Sequence, residues 1–142
     1  MKSSGTPRIL LIISAIISFT FTIVLFAVFI AAMVFIVSDE LVQSAAPVLV
    51  RYGFAEKYGD VYIIKNSFTT LLSLSASLGF SFALIQPPCG FCSLNALKVL
   101  SLPRIIAVLA SGLLSFNVVA IIAGLQNLKL YKAERRANNY RY

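Results

Sequence analysis

Long apolar segments alternate with short polar ones along this chain. The first runs from Ile9 to Ser38 without an ionisable side chain, and it exceeds the roughly 20 apolar residues that a helix needs to cross a bilayer. Two further apolar segments follow, with prolines and charged residues at their boundaries. The pattern therefore predicts three transmembrane helices, which cover residues 9–37, 67–85 and 105–128.

Residues at the segment boundaries indicate where these helices begin and end. Pro87 and Pro88 follow the second segment, and because proline removes a backbone hydrogen bond inside a helix, we expect the helix to end there. Ser101 and Pro103 precede the third segment and are typical of a helix start. The first segment measures about 43 Å as a helix, more than the roughly 30 Å hydrocarbon core, so we expect it to tilt or to project beyond the lipid.

The predicted fold class is an all-α integral membrane protein, a bundle of three transmembrane helices with a short interfacial element in each connector. Residues 1–142 form one membrane domain, because no length remains for a separate globular domain. Connector 38–66 mixes charged and apolar positions, which favours an interfacial helix or a compact loop over a fourth span. Connector 86–104 is predicted to hold one or two helical turns, and residues 129–142 form a basic tail.

Composition agrees with the membrane class. Hydrophobic residues make up 59% of the chain and charged residues only 12%, whereas soluble domains carry about a quarter charged residues. The net charge is +7, but the basic residues flank apolar segments and do not form a stripe for nucleic acid. We expect membrane lipids and other membrane-protein subunits, or a second copy of the chain, as partners, and no nucleic acid.

The amino-terminal segment is too long for the apolar core of a signal peptide, which has roughly 7 to 15 residues, so we expect a retained span. With three spans, the amino terminus and the second connector hold four Lys and Arg residues, and the first connector and the tail hold eight. Because cytoplasmic segments are rich in Lys and Arg, the count favours a cytoplasmic tail and an amino terminus on the opposite side of a multi-pass protein.

Each predicted span carries a row of small or hydrogen-bonding side chains. Helices associate in lipid through small residues and hydroxyl groups, so these rows favour helix packing, with a polar path or a lipid-binding groove as the alternative. Asn117 is the one strongly polar side chain deep in a span, and we expect its amide to bind another helix. The rows are Ser14, Ser18 and Thr22 in the first span, Thr70, Ser73, Ser77 and Ser81 in the second, and Ala110, Asn117, Ala120 and Gly124 in the third.

Residue types that serve membrane catalysis and coupled transport are scarce. The chain contains no histidine, and the interiors of the predicted spans lack the Asp, Glu, Lys and Arg residues that mark proton relays and ion-coupled transporters. We therefore expect a protein that is not an enzyme, with no catalytic residue, no bound metal and no cofactor other than structural lipids.

Cys89 and Cys92 form a C-x-x-C motif directly after the proline pair. Two thiols at this spacing can cycle between dithiol and disulfide. The favoured interpretation is a structural disulfide or a pair of inert thiols. Lipidated cysteines near the interface and redox catalysis are the alternatives.

The tail begins with four basic residues directly after the third span. We interpret them as a topology signal, and the alternative is attraction to anionic lipid at roughly 1 kcal/mol for each residue. These residues are Lys129, Lys132, Arg135 and Arg136.

These features favour a non-catalytic accessory, assembly or scaffold subunit of a larger membrane complex, because helices with small-residue rows offer faces for partner helices. The first alternative is a membrane thiol–disulfide oxidoreductase that uses Cys89 and Cys92. The second is a self-associating scaffold or pore former, in which the hydroxyl rows line the contact or the lumen.

Overall fold

The computed structural model describes residues 5–139, apart from the side chain of Asn139. Residues 1–4 and 140–142, which include the end of the predicted tail, lie outside the described residues. Helices account for 84% of the structure, which confirms the all-α class. The elements are α1 (Thr6–Val37), α2 (Asp39–Arg51), β1 (Ala55–Tyr58), β2 (Val61–Ile64), α3 (Asn66–Lys98), α4 (Leu102–Leu114) and α5 (Val118–Asn139).

Two helices in the described part of the chain, α1 and α3, are long and apolar enough to cross a membrane. The 32 residues of α1 include the whole first predicted span, and the 33 residues of α3 include the second. Many of their large apolar side chains are exposed, among them Ile23 at 70% and Leu78 at 61%. Length, composition and exposure together make α1 and α3 the candidate membrane spans.

The predicted end of the second helix at residue 85 is wrong, because α3 continues through Pro87 and Pro88 to Lys98. The prolines remove two backbone donors from the helix, but the segment beyond them packs closely on α1. A Cβ atom at Gly90 would lie 2.9 Å from the Phe19 ring, and the Phe19 and Phe91 rings meet edge to face at 5.4 Å. Tertiary packing thus outweighs the local preference for a helix end, and most of connector 86–104 is helical.

The predicted single helix over residues 105–128 is also wrong. The chain instead forms α4 and α5, joined by a three-residue turn, Ser115–Asn117. Phe116 adopts a left-handed φ of 53°, which breaks the right-handed helix. The backbone N–H of Asn117 donates to the carbonyl of Gly112 at 2.9 Å. With 13 residues, α4 is shorter than a complete span.

The described chain divides into two compact units. The first contains α1 up to Ile23, α3 from Phe82, and all of α4 and α5; the second contains residues 24–81. Small side chains dominate the core of the first unit, which lets helix backbones approach closely. Its buried cluster consists of Leu11, Cys89, Ala96, Val108, Ala120 and Ala123.

Helices α4 and α5 pack against each other as an antiparallel hairpin. A Cβ atom at Gly112 would lie 3.0 Å from Cβ of Ala120, and one at Gly124 would lie 2.6 Å from Cδ2 of Leu109. Each contact thus joins a residue of α4 to a residue of α5 that is about equally far from the turn in the sequence, as an antiparallel pair requires. Glycine at both positions removes the atoms that would otherwise separate the two helices.

Aromatic rings dominate the packing of the second unit. The ring of Phe80 in α3 lies 5.9 Å from Phe26 and 4.8 Å from Phe29 in α1. Phe68 of α3 lies 6.4 Å from Phe35 of α1 and 5.1 Å from Phe54, which directly precedes β1. These pairs show that α1 and α3 run antiparallel within this unit.

Connector 38–66 folds into α2 and the β1–β2 hairpin. The Ser38 hydroxyl caps α2 by accepting from the Leu41 N–H at 3.4 Å. Strand pairing runs from Ala55 opposite Ile64 to Tyr58 opposite Val61.

On the exposed side of this hairpin, Lys65 pairs with Glu56 at 3.1 Å. Hydrogen bonds from Lys65 and Tyr58 lower the pKa of the Glu56 carboxyl, and the bond to Glu56 raises the pKa of the Tyr58 hydroxyl.

Replacing Gly124 with alanine tests the close contact inside the α4–α5 hairpin. The new methyl group would overlap Leu109, so we expect G124A to lower the free energy of unfolding by about 1–3 kcal/mol. Gly79→Ala in α3 is the matched control, because a Cβ there meets nothing within 4 Å. Thermal unfolding in detergent measures both, and equal stability of the two variants would contradict the packing described.

Candidate functional site: a buried polar cluster

Four neutral polar side chains meet inside the first unit. This polar cluster consists of Ser14 and Ser18 from α1, Ser93 from α3 and Asn117 from the α4–α5 turn, and each is at least 95% buried. An unpaired polar group at such a position costs about 1–3 kcal/mol. All four therefore need hydrogen-bond partners, and the cluster supplies them.

Asn117 is the centre of the polar cluster. Its Oδ1 accepts from the backbone N–H of Ala120 at 3.1 Å, so the side chain caps the amino terminus of α5. Its Nδ2 donates to the Ser14 carbonyl at 3.1 Å and to the Ser18 hydroxyl at 3.0 Å, and it also lies 3.3 Å from Oγ of Ser14. One amide group thus starts α5 and fixes it to α1.

The two serines of α1 are four residues apart, about one helical turn, and therefore lie on the same face of the helix. Both side chains on this face are fully buried. Ser14 shares a hydrogen bond of 3.0 Å with Ser93, which connects α1 to α3. The third residue of this row, Thr22, is half-buried and donates to the Ser18 carbonyl of its own helix at 2.9 Å. Only the first two residues of the row therefore bind other helices through their side chains.

Gln86 makes a second polar connection between the turn and α3. Its Nε2 donates to the carbonyl of Ser115 at 2.9 Å, and its side chain is 7% exposed. The Oε1 atom of Gln86 is buried without a hydrogen-bond partner among the described residues. Gln86 and Asn117 together hold both ends of the turn.

The chemistry of the polar cluster is that of neutral hydroxyl and amide groups. Its four members donate to and accept from one another or from nearby backbone. No group of three or more His, Cys, Asp or Glu residues that could hold a metal lies within residues 5–139. The arrangement acts through position, because it holds the turn against α1 and α3.

Both cysteines lie inside α3 and not in a connector. Cys89 is fully buried in the core of the first unit, and Cys92 is half-buried. The two thiols are free in this structure. Their redox role stays a prediction.

The polar row of α3, formed by Thr70, Ser73, Ser77 and Ser81, lies on the exposed surface of the second unit. The Ser77 hydroxyl donates to the Ser73 carbonyl at 2.8 Å, and the Ser81 hydroxyl donates to the Ser77 carbonyl at 2.9 Å. A hydroxyl that donates to a carbonyl of its own helix no longer needs a hydrogen-bond acceptor on another molecule. We call these four residues the α3 hydroxyl row.

The row predicted for the third span does not exist as one face. Ala110 is exposed on α4, whereas Asn117 lies in the turn and Ala120 and Gly124 face α4 from α5. The expectation assumed one continuous helix, and the turn reverses the chain between these residues. Ala120 and Gly124 still share a face, four residues apart.

Four basic residues of the predicted tail lie on the second half of α5. That half is polar and solvent-accessible, which separates it from the apolar first half that packs on α4. The exposed basic residues are Lys129, Lys132, Arg135 and Arg136.

Ser93 and Gln86 make buried hydrogen bonds between elements that the sequence interpretation missed. They are seven residues apart, which places them on the same side of a helix. Their common face was hidden because the proline pair between them indicated a helix end. A search for polar residues at helical spacing across Pro87 and Pro88 would have found them.

Comparison of the chain with protein-family models, with curated proteins and with solved structures found no match. The function of the chain must therefore be inferred from its own geometry.

Substitution of Asn117 tests the polar cluster. N117A removes the cap of α5 and leaves the Ser18 hydroxyl without its donor, so we expect a loss of about 1–3 kcal/mol in the free energy of unfolding. Asn138→Ala is the control, because Asn138 is exposed near the end of the same helix. Unfolding by denaturant in mixed micelles measures both, and an N117A protein as stable as the wild type would remove the central role of Asn117.

Proposed function

We propose that this chain is a multi-pass membrane protein that acts as a non-catalytic accessory, assembly or scaffold subunit of a larger membrane complex. In this role it contributes helix surface to partner subunits. The proposal is supported by the two long apolar helices and by the character of their exposed faces.

The α3 hydroxyl row is the observation that carries the proposal. Its residues are small and exposed, and the hydroxyls of Ser77 and Ser81 are already bonded within the helix. In lipid, two helices gain no hydrophobic free energy when their apolar side chains contact each other. Helices therefore associate where small residues let their backbones approach closely. A row of small residues on an exposed helix face therefore suits contact with another helix.

A different face of the same helix has the character of a lipid contact. Leu71, Leu74 and Leu78 are each about 60% exposed and lie about 60–120° around α3 from Ser77, at 100° per residue. Long branched side chains keep a second helix at a distance, whereas lipid chains adapt to them. The contrast between the two faces supports assignment of the hydroxyl row to a partner protein.

The partner in this proposal is a different membrane subunit, and self-association through the same row is the second candidate. Crosslinking in native membranes separates them, because a homodimer has twice the 15.5 kDa mass of the chain. A photoreactive side chain at the exposed Ser77 position would capture either partner.

The thiol–disulfide alternative has less support. A thiol must be accessible and ionised to exchange with a substrate disulfide, and Cys89 is fully buried. Alkylation of the native protein tests this alternative, and full function of a Cys89→Ser, Cys92→Ser variant would eliminate it.

Bulky substitutions in the hydroxyl row provide the test of the proposed function. We expect Ser73→Leu combined with Ser77→Leu to remove co-purifying subunits in mild detergent, because the new side chains prevent close helix approach. The matched control, Leu74→Ala with Leu78→Ala, changes the leucine face and should leave co-purification intact. Recovery of the wild-type protein as a lone stable monomer would overturn the proposal.

A further inference from the structure

We infer that α4 and α5 form a re-entrant hairpin, which enters the bilayer and leaves it on the same side. The chain then crosses the membrane only twice, through α1 and α3, and its two ends lie on one side. This inference depends on the membrane residence in the proposed function, but not on the accessory role. It replaces the expectation that the amino terminus and the tail lie on opposite sides.

The lengths of the two hairpin helices fit half of a bilayer. The 13 residues of α4 measure about 20 Å, and the apolar part of α5, residues 118–128, measures about 16 Å. A complete crossing of a hydrocarbon core of about 30 Å needs roughly 20 residues. Neither α4 nor the apolar part of α5 reaches across, and the antiparallel packing of the two helices through Gly112 and Gly124 returns the chain to its starting side.

The depth of the turn can be read from its contacts within the first unit. Asn117 binds Ser14 and Ser18, which follow the first residue of α1 by about 12 and 18 Å along the helix. Gln86, which binds the Ser115 carbonyl, precedes the last residue of α3 by about 18 Å. With the first residue of α1 and the last residue of α3 at the bilayer surface, both distances place the turn near the middle of a core of about 30 Å.

Several polar groups of the turn have the protein partners that such a depth requires. Irregular backbone occurs within the hydrocarbon region only where protein supplies its hydrogen bonds. The end of α4 is closed by the Asn117 N–H on the Gly112 carbonyl, and the Ser115 carbonyl accepts from Gln86. The start of α5 is capped by the Asn117 side chain. A turn in water would not need this number of protein partners.

The basic residues provide independent support. In the re-entrant topology, nine of the twelve Lys and Arg residues lie on one side: two before or at the start of α1, two around the α3–α4 connection, and five on the tail. The other side holds three, beside four acidic residues. Three spans give only eight against four. Because Lys and Arg accumulate on the cytoplasmic side, the sharper division favours the hairpin with both ends in the cytoplasm.

Single cysteines introduced into a variant without Cys89 and Cys92 test the topology. We expect Thr6→Cys and Glu134→Cys to react with a membrane-impermeant maleimide from the same side, and Asp60→Cys, in the β1–β2 turn, to react only from the other. Phe116 is 76% exposed at the tip of the hairpin, so the thiol of Phe116→Cys should face lipid. We expect it to stay unlabelled when the maleimide is added to either side. Reaction of Thr6→Cys and Glu134→Cys from opposite sides would overturn the inference.

Protease protection of the native sequence covers the case in which the cysteine variants misfold. Epitopes at the two ends of the full chain should be digested together in vesicles of one orientation and protected together in the other. Digestion of one epitope without the other would refute the hairpin. Release of the protein from membranes by alkaline carbonate would instead refute membrane residence itself, so the two failures are distinguishable.

Discussion

The hydrogen bonds of Asn117 are the interaction on which the first unit depends. A chain that reverses direction between two helices leaves helix-end carbonyl and N–H groups without partners inside those helices. The Asn117 amide resolves this by capping α5 with its oxygen and binding α1 with its nitrogen. Ser93 extends the connection to α3 through Ser14, so one turn organises four helices.

Small residues act together with this polar cluster. Gly112, Ala120 and Gly124 let α4 and α5 approach until side chains from one helix meet the backbone of the other. The close approach is what brings the turn into reach of α1 and α3. In lipid, where apolar burial between helices contributes little, close packing and a few hydrogen bonds supply the association energy. The exposed α3 hydroxyl row also consists of small residues, and no other helix covers it among residues 5–139.

The sequence predicted some elements well and others poorly, for physical reasons that differ from case to case. The first helix follows from thirty consecutive residues without an ionisable side chain and without a competing local signal. Pro87 and Pro88 misled the prediction because their local cost is real, but the packing of Gly90 on Phe19 outweighs it. The β1–β2 hairpin was missed, although Gly59 at its turn, with a φ of 61°, is a residue that two-residue hairpin loops favour.

By itself, the sequence determined the all-α class, the extent of the first helix and the special status of Asn117 as a buried amide. Those features depend on composition and local spacing, which a sequence displays directly. Only the tertiary structure decided that residues 105–128 fold back on themselves and that Asn117 caps a helix while binding α1. The reason is that both the straight helix and the hairpin satisfy the apolar pattern. The choice between them depends on partners some hundred residues away, Ser14 and Ser18, whose contribution no local pattern reveals.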